Sequence, residues 1–487
     1  GRGFDPLCPL QFYSLIKMNK NKKSIIIELY NEAIKNHKDN NLQVAKKKYK
    51  KILSLNHKHT NSYQNLGIIF GIEGDNENAK QCYEKLIEIN PDDLNANYNL
   101  GLVLNRLKNY NEAKKYFEKI VKINPNFLNV QYYLGLICQN MGEYEKAKKC
   151  YENEIKINPN VADAHNNLGI INTHLGNFDD SIKNYITSLK KNNLHKNAIE
   201  NLIISLTSFR SEEKNLIVET NNNLNKINKD FKIEEILNSK NLSNFFKKIN
   251  RIIYDIRDIT KEIVYKETQT YRRNVYDLNC QRHHKVFNEF NIIPKFCFSC
   301  FKIQIEPKNV LELIKLFLIF DEFKFPNNNW RKCMIELRSN VSGTYKGFIY
   351  CNSLDEAEKI LDEIKPILRR FIKFNVSIKR GCSEFYKPFA DFKQIYEKEN
   401  NFMSYESKWK KIEEKFDNQN NLNKRKFYQT IKGFSISDLL IMYHWFNYAN
   451  FINDLSYKEL NIDFPYSEFI YQQISNQIDF RKKEFMC

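Results

Sequence analysis

A period of 34 residues constrains this chain more than any other feature. Leu-Gly recurs at Leu66-Gly67, Leu100-Gly101, Leu134-Gly135 and Leu168-Gly169. Twelve residues after each glycine stands a small residue: Ala79, Ala113, Ala147 or Ser181. An aromatic follows four residues later, at Tyr83, Phe117, Tyr151 and Tyr185. Three frames close on Asn-Pro, at Pro91, Pro125 and Pro159. A fainter frame opens at Ile26, with Ala33, Ala45 and Tyr49 at the matching places. The spacing predicts two amphipathic helices per unit, crossing closely where the residues are small, with the aromatic filling the gap to the neighbouring repeat. Proline ends the second helix, which cannot continue through it. One hairpin cannot bury its own apolar face, so copies must stack into a solenoid.

This pattern resembles the tetratricopeptide repeat (TPR) family over residues 26–209, as about five hairpins and a capping helix. The resemblance implies that the first helix of each hairpin lines a concave groove. The sixth residue of each frame is Asn65, Asn99, Tyr133 or Asn167, and the second is Asn61, Asn95, Asn129 or Asp163. A carboxamide carries donors and an acceptor together. A row of them suits the alternating N–H and C=O groups of an extended peptide. The row is similar to the asparagine ladder in the tetratricopeptide superhelix of O-linked N-acetylglucosamine transferases, but Tyr133 interrupts it and nothing later resembles a catalytic part of that kind. The expected groove residues are Asn61, Asn65, Asn95, Asn99, Tyr133 and Asn167. A Lys/Asn clamp for a terminal carboxylate has no clear place, since position 13 of the frames holds Ile72, Arg106, Asn140 and His174.

With 487 residues the chain has length for two or three folded units, and 42% hydrophobic content supplies their cores. Its formal charge is +18, which favours anionic partners, although the lysines are spread rather than blocked. The chain opens Gly1-Arg2-Gly3, and Met18 begins the Lys/Asn-rich text, so residues 1–25 are expected to be a non-native or disordered leader. Eleven cysteines without a secretory signal read as reduced thiols of a cytoplasmic protein. Apolar runs such as Leu439–Tyr448 are too short and too polar to insert in a membrane.

Residues 210–274 read as a helical spacer, with a helix at Leu242–Glu267 and a loose stretch at Thr220–Asp230. At 275 the character changes. Strands are expected at Lys302–Glu306, Arg331–Arg338, Tyr345–Cys351 and Val376–Arg380, with helices at Val310–Phe323 and Leu354–Ile364 and a kink or restart at Pro366. That order, β-α-β-β-α-β, suggests an α+β sandwich of ferredoxin-like type over 275–394. Residues 395–487 read as a helical extension.

Two constellations in this second part carry chemistry. Cys280 and His283, then Cys297 and Cys300, give C-x2-H and C-x2-C pairs that suit zinc, with His284 as a substitute. Buried thiols acting as small hydrophobes, or a redox pair, use the same residues. Cys382, after Lys379-Arg380-Gly381, reads as a turn cysteine. The second constellation is Lys346-Gly347-Phe348-Ile349-Tyr350-Cys351. Residues 334–361 resemble the middle of an RNA recognition motif, which implies base stacking on Phe348 and Tyr350 beside Lys346. Arg331, Lys332, Arg338, Lys379 and Arg380 supply further charge. Ser353 and Gln304 stand where that family has aromatics, which leaves half a platform; packing of Phe348 in the core is the competing reading. No nucleotide loop, paired-His metal motif or nucleophile elbow is present, so an enzyme is the less favoured class. The expected partner is a protein or peptide, with nucleic acid as the alternative.

Overall fold

A computed structural model describes residues 9–486 apart from 228–234, 236, 238, 262, 264, 273–277, 279, 383, 384, 386, 393–402 and 420–427. The chain divides into two compact units, residues 1–191 and 192–487. The expected boundary at 275 lies outside the described residues.

Among the described residues, the first unit is ten helices in antiparallel pairs. They are α1 (Pro9–Lys38), α2 (Leu42–Leu55), α3 (Thr60–Glu73), α4 (Asn76–Ile89), α5 (Leu94–Arg106), α6 (Tyr110–Ile123), α7 (Val130–Asn140), α8 (Tyr144–Ile157), α9 (Ala162–Leu175) and α10 (Phe178–Lys191). Helix α1 thus begins inside the stretch set aside as a leader. Asp75 and Asp93 cap α4 and α5, each carboxylate accepting from the backbone N–H three residues on. At the other ends Asn90, Asn124 and Asn158 turn to extended backbone, as the residue before a proline must.

The repeated glycine has a direct steric cause. A Cβ on Gly67 would lie 2.6 Å from the Tyr83 ring, on Gly101 2.7 Å from Phe117, on Gly135 2.8 Å from Tyr151 and on Gly169 2.5 Å from Tyr185. Each aromatic therefore lies on the glycine of its own hairpin. Phe117 also stacks on Tyr133 of the following hairpin at 6.0 Å, so the same ring fills the gap to its neighbour. Helix α7 lacks a side-chain cap at Asn129. The fully buried Glu154 serves instead, accepting from Tyr132 N–H at 3.2 Å. Burial raises that carboxyl.

The second unit begins with α11 (Lys196–Ser205), α12 (Leu216–Lys226) and α13 (Ser239–Ile252). Helix α12 covers much of the stretch expected to be loose, and α13 ends well short of Glu267. A five-stranded antiparallel sheet follows: β1 (Gln269–Arg272), β2 (Phe301–Pro307), β3 (Arg331–Ile335), β4 (Tyr345–Cys351) and β5 (Phe374–Arg380), in the order β1-β3-β4-β2-β5. Strand β1 was not foreseen; it pairs Gln269 with Met334 and Arg272 with Arg331. Around the sheet run α14 (Cys280–Phe290), α15 (Val310–Glu322), α16 (Leu354–Phe371), α17 (Trp409–Gln419) and α18 (Ile436–Phe451). Gly347 lies under Leu316 and Phe320, so α15 comes down onto β4 at the one residue without a side chain. Helix α16 runs through Pro366 as one helix, so the proline does not restart it. Helix α18 is buried from Ile436 to Ala449 and starts with a capping box of Ser435 and Asp438. Asp438 and Asp321 hold the buried Arg272, Asp438 at 3.0 Å.

Candidate functional site

The repeat unit presents its expected groove residues on the first helix of each hairpin. Asn61 and Asn65 stand on α3, Asn95 and Asn99 on α5, Tyr133 on α7 and Asn167 on α9. Asn61 and Asn95 are exposed, and the other four are half-buried. Two of the amides already engage a neighbour. Asn65 donates to the Tyr30 hydroxyl and Asn167 to the Tyr132 hydroxyl, each at 3.3 Å. Both bonds span 35 residues, one repeat plus one, so they stitch adjacent hairpins. Asn99 has Gln64 in the corresponding place and makes no side-chain hydrogen bond among the described residues. Tyr133 is packed between Phe117 and the edges of Tyr98 and Tyr132. Arg106 donates to the Gly71 carbonyl at 3.4 Å.

The sheet has two unlike faces, because side chains alternate along a strand. Lys332, Phe348 and Gln304 lie in one register row and Lys302 with Tyr350 in the next, all facing away from α15. Lys302, Lys332, Phe348 and Tyr350 line a cleft of about 440 Å3. The Lys302 and Lys332 ammonium groups stand 5.2 and 5.4 Å from the Phe348 ring centroid. Beside it Tyr271 stacks on Trp330 at 5.7 Å, and Trp330 reaches Tyr350 at the same distance. Lys332 donates to the Gln269 amide oxygen at 2.8 Å. Burial, with Lys302 adding repulsion, lowers its ammonium to about 8. Lys346 is different: it is buried and bound to Glu336 at 2.9 Å. Burial alone would raise the Glu336 carboxyl, but Arg338 and Lys346 outweigh it and bring it to about 2. Of the expected nucleic-acid residues, then, Phe348 and Tyr350 border the cleft, whereas Lys346 is already neutralised. Arg331 faces the other side of the sheet from Lys332, in register with Ile349.

The thiols also meet. Cys382, expected to be a turn cysteine, packs against the apolar cluster that holds Cys297 and lines the Phe348 cleft together with Cys280. The neighbouring Cys382 thiol, then burial, raises the Cys280 thiol. Burial raises Cys300, against Gly381, to about 12. His283 is buried on Phe296, and its Nδ1 has no hydrogen-bond partner among the described residues. Among the described residues no group of three or more His, Cys, Asp or Glu side chains is arranged to hold a metal ion. His444, in α18, is a buried ring bonded to the Glu267 carbonyl at 2.8 Å. No helix among the described residues is long and apolar enough to cross a membrane.

Family comparison decides the first unit. Models of the tetratricopeptide repeat match residues 67–108, 95–127 and 129–161. These hairpins are tetratricopeptide repeats. A further model, the Est1 DNA/RNA binding domain, matches residues 147–344. Among solved structures, the tetratricopeptide array is similar to MamA at 24% identity, over 33% of this chain and 94% of that one, with a TM-score of 0.32. YrrB, described as a TPR protein with an unusual peptide-binding site, matches at 23% identity over 38% of this chain and 95% of its own, at a TM-score of 0.35. MamA 41-end from Desulfovibrio magneticus RS-1 matches at 19% identity over 35% of this chain and 97% of its own, at 0.34. No curated protein matches the chain.

Proposed function

We propose that this protein is an interaction scaffold whose tetratricopeptide array grips an extended peptide of a partner. Asn99 carries the reading: a half-buried amide at the middle of the array with its hydrogen-bonding capacity unspent. Asn95, one turn before it on α5, and Asn61, on α3, extend the row, and Asn167 can exchange the Tyr132 hydroxyl for a peptide carbonyl. Capture from an immobilised library of unstructured peptides tests it. Asn99→Ala with Asn167→Ala should weaken capture roughly 3- to 30-fold with helicity intact. Unchanged capture removes the ladder from the function.

A second reading concerns nucleic acid. It is favoured by the cleft in which Lys302 and Lys332 flank Phe348, and by the Est1 DNA/RNA binding domain match over residues 147–344. The order β3-β4-β2-β5, with α15 and α16 as the connecting helices, supports a ferredoxin-like sandwich of the kind RNA recognition motifs use. On this reading bases stack on Phe348 and Tyr350, and the two lysines trade the ring for phosphates. A reducing, cytoplasmic setting fits the nine cysteines among the described residues, all unpaired by disulfide.

A further inference from the structure

Arg331 stands at the start of β3, on the face opposite the Phe348 cleft. It is only 6% exposed. Its Nε and Nη1 are buried and meet no acceptor, and among the described residues it forms no ion pair. Its register partner is another guanidinium, Arg272. Arg272 takes the local acids: Asp438 at 3.0 Å, and Asp321, whose other oxygen accepts from Gly433 N–H at 2.9 Å. The Arg331 guanidinium lies 4.6 Å from the centroid of the Phe325 ring. Burial, only partly offset by Asp321, lowers it to about 10, with Arg272 adding repulsion. An ionised group taken out of water without a counter-charge is costly, so a retained one calls for an anion.

A cavity of about 340 Å3 opens beside it. Among the described residues, four cationic side chains line it, Arg272, Lys324, Arg331 and Lys432, and two acidic ones, Asp321 and Glu322. Lys432 is tied to Glu322 at 2.6 Å. With Arg272 held by Asp321 and Asp438 and Lys432 by Glu322, Arg331 and Lys324 are the lining cations without an ion pair among the described residues, and two such cations suit the oxygens of a phosphate group. The volume exceeds that of a bare phosphate, and Phe323 and Phe325 offer an apolar wall to an organic remainder.

We propose that this cavity binds the phosphate group of a small phosphorylated compound, with Arg331 as its anchor. The site is separate from the peptide groove and from the Phe348 cleft, and rests on neither reading.

Thermal unfolding of the full chain tests it, in inorganic phosphate, ribose 5-phosphate and acetate at one ionic strength. Phosphate at about a hundredfold over its Kd should raise the Tm of the second unit by on the order of 5 °C, and acetate should not. A larger shift with ribose 5-phosphate than with phosphate identifies an organic phosphate as the occupant; equal shifts identify the free ion. Arg331→Met should abolish the shift while the unliganded protein unfolds at the same or a higher temperature, because an uncompensated buried cation is gone. Arg331→Lys should keep the fold and weaken the phosphate response at least tenfold. No shift in the wild type overturns the proposal, as does a wild-type shift in both variants. Loss of stability in Arg331→Met, with an unaltered phosphate response in Arg331→Lys, makes Arg331 a prop on Phe325 and overturns it too.

Discussion

Lys332 shows how a single half-buried charge sets a measurable property. Its ammonium is lowered from 10.5 to about 8, mainly by burial, and among the described residues its one hydrogen bond goes to a neutral amide oxygen. Between those two values the unfolded chain binds the proton and the folded chain releases it. Stability therefore rises as pH rises through this window, and the cost of that charge is fully present below it. Lys332→Met should remove the rise between pH 8 and 10.5 and stabilise the second unit at pH 7 by ~1–3 kcal/mol. Urea unfolding of both proteins at pH 7 and 9.5 reads this out. A variant that keeps the wild-type slope shows that another group titrates there. Glu336 behaves oppositely: its carboxyl, brought to about 2, keeps Arg338 and Lys346 paired across the neutral range.

At the scale of elements, the Gly–aromatic pair governs each hairpin. Phe117 is fully buried and stacked on Tyr133, so its ring cannot retreat from a new methyl on Gly101. Gly101→Ala should cost about 1–3 kcal/mol. Gly71, in the neighbouring helix α3, is the contrast: a Cβ there meets only the Arg106 guanidinium at 3.6 Å, and Gly71→Ala should be neutral or gain up to about 1 kcal/mol. Denaturant midpoints should separate the two; equal effects would remove the steric account of the repeat. This contrast also explains what was legible. The partners Gly101 and Phe117 sit within one 34-residue unit, so their fit is written in a local pattern and repeated four times. Strand β1 is four residues that earn no signal of their own; Gln269 reaches Lys332 across 63 residues. Cys382 comes to Cys280 and Cys297 only because β5 returns to the edge of β2. Arg331 and Lys332 are another matter. Adjacent residues on a strand face opposite sides, a rule the sequence itself carries, so the two do not serve one surface. Pro366 is the reverse case, where a sound local rule yields to the packing of α16 on the sheet.

At the scale of the whole chain, the charge of +18 says that an anion is attracted and not where it is held. Most of the excess lies on side chains spread through the sequence, and such a cloud attracts RNA without choosing a strand or a site. The Phe348 cleft differs because aromatic rings and two lysines converge there. The two cases separate by salt dependence. Binding of single-stranded RNA that engages the cleft should weaken steeply between 50 and 200 mM salt, with a slope of log K on log salt near −0.7 for each phosphate neutralised. Replacing Lys302 and Lys332 by Ala together should reduce that slope by about 1.4. Phe348→Ala should lower affinity while leaving the slope, since a stacked base releases no counterion. Binding whose slope is the same in the lysine variant comes from the diffuse charge. Salt-insensitive or absent binding leaves the tetratricopeptide array as the surface that meets a partner.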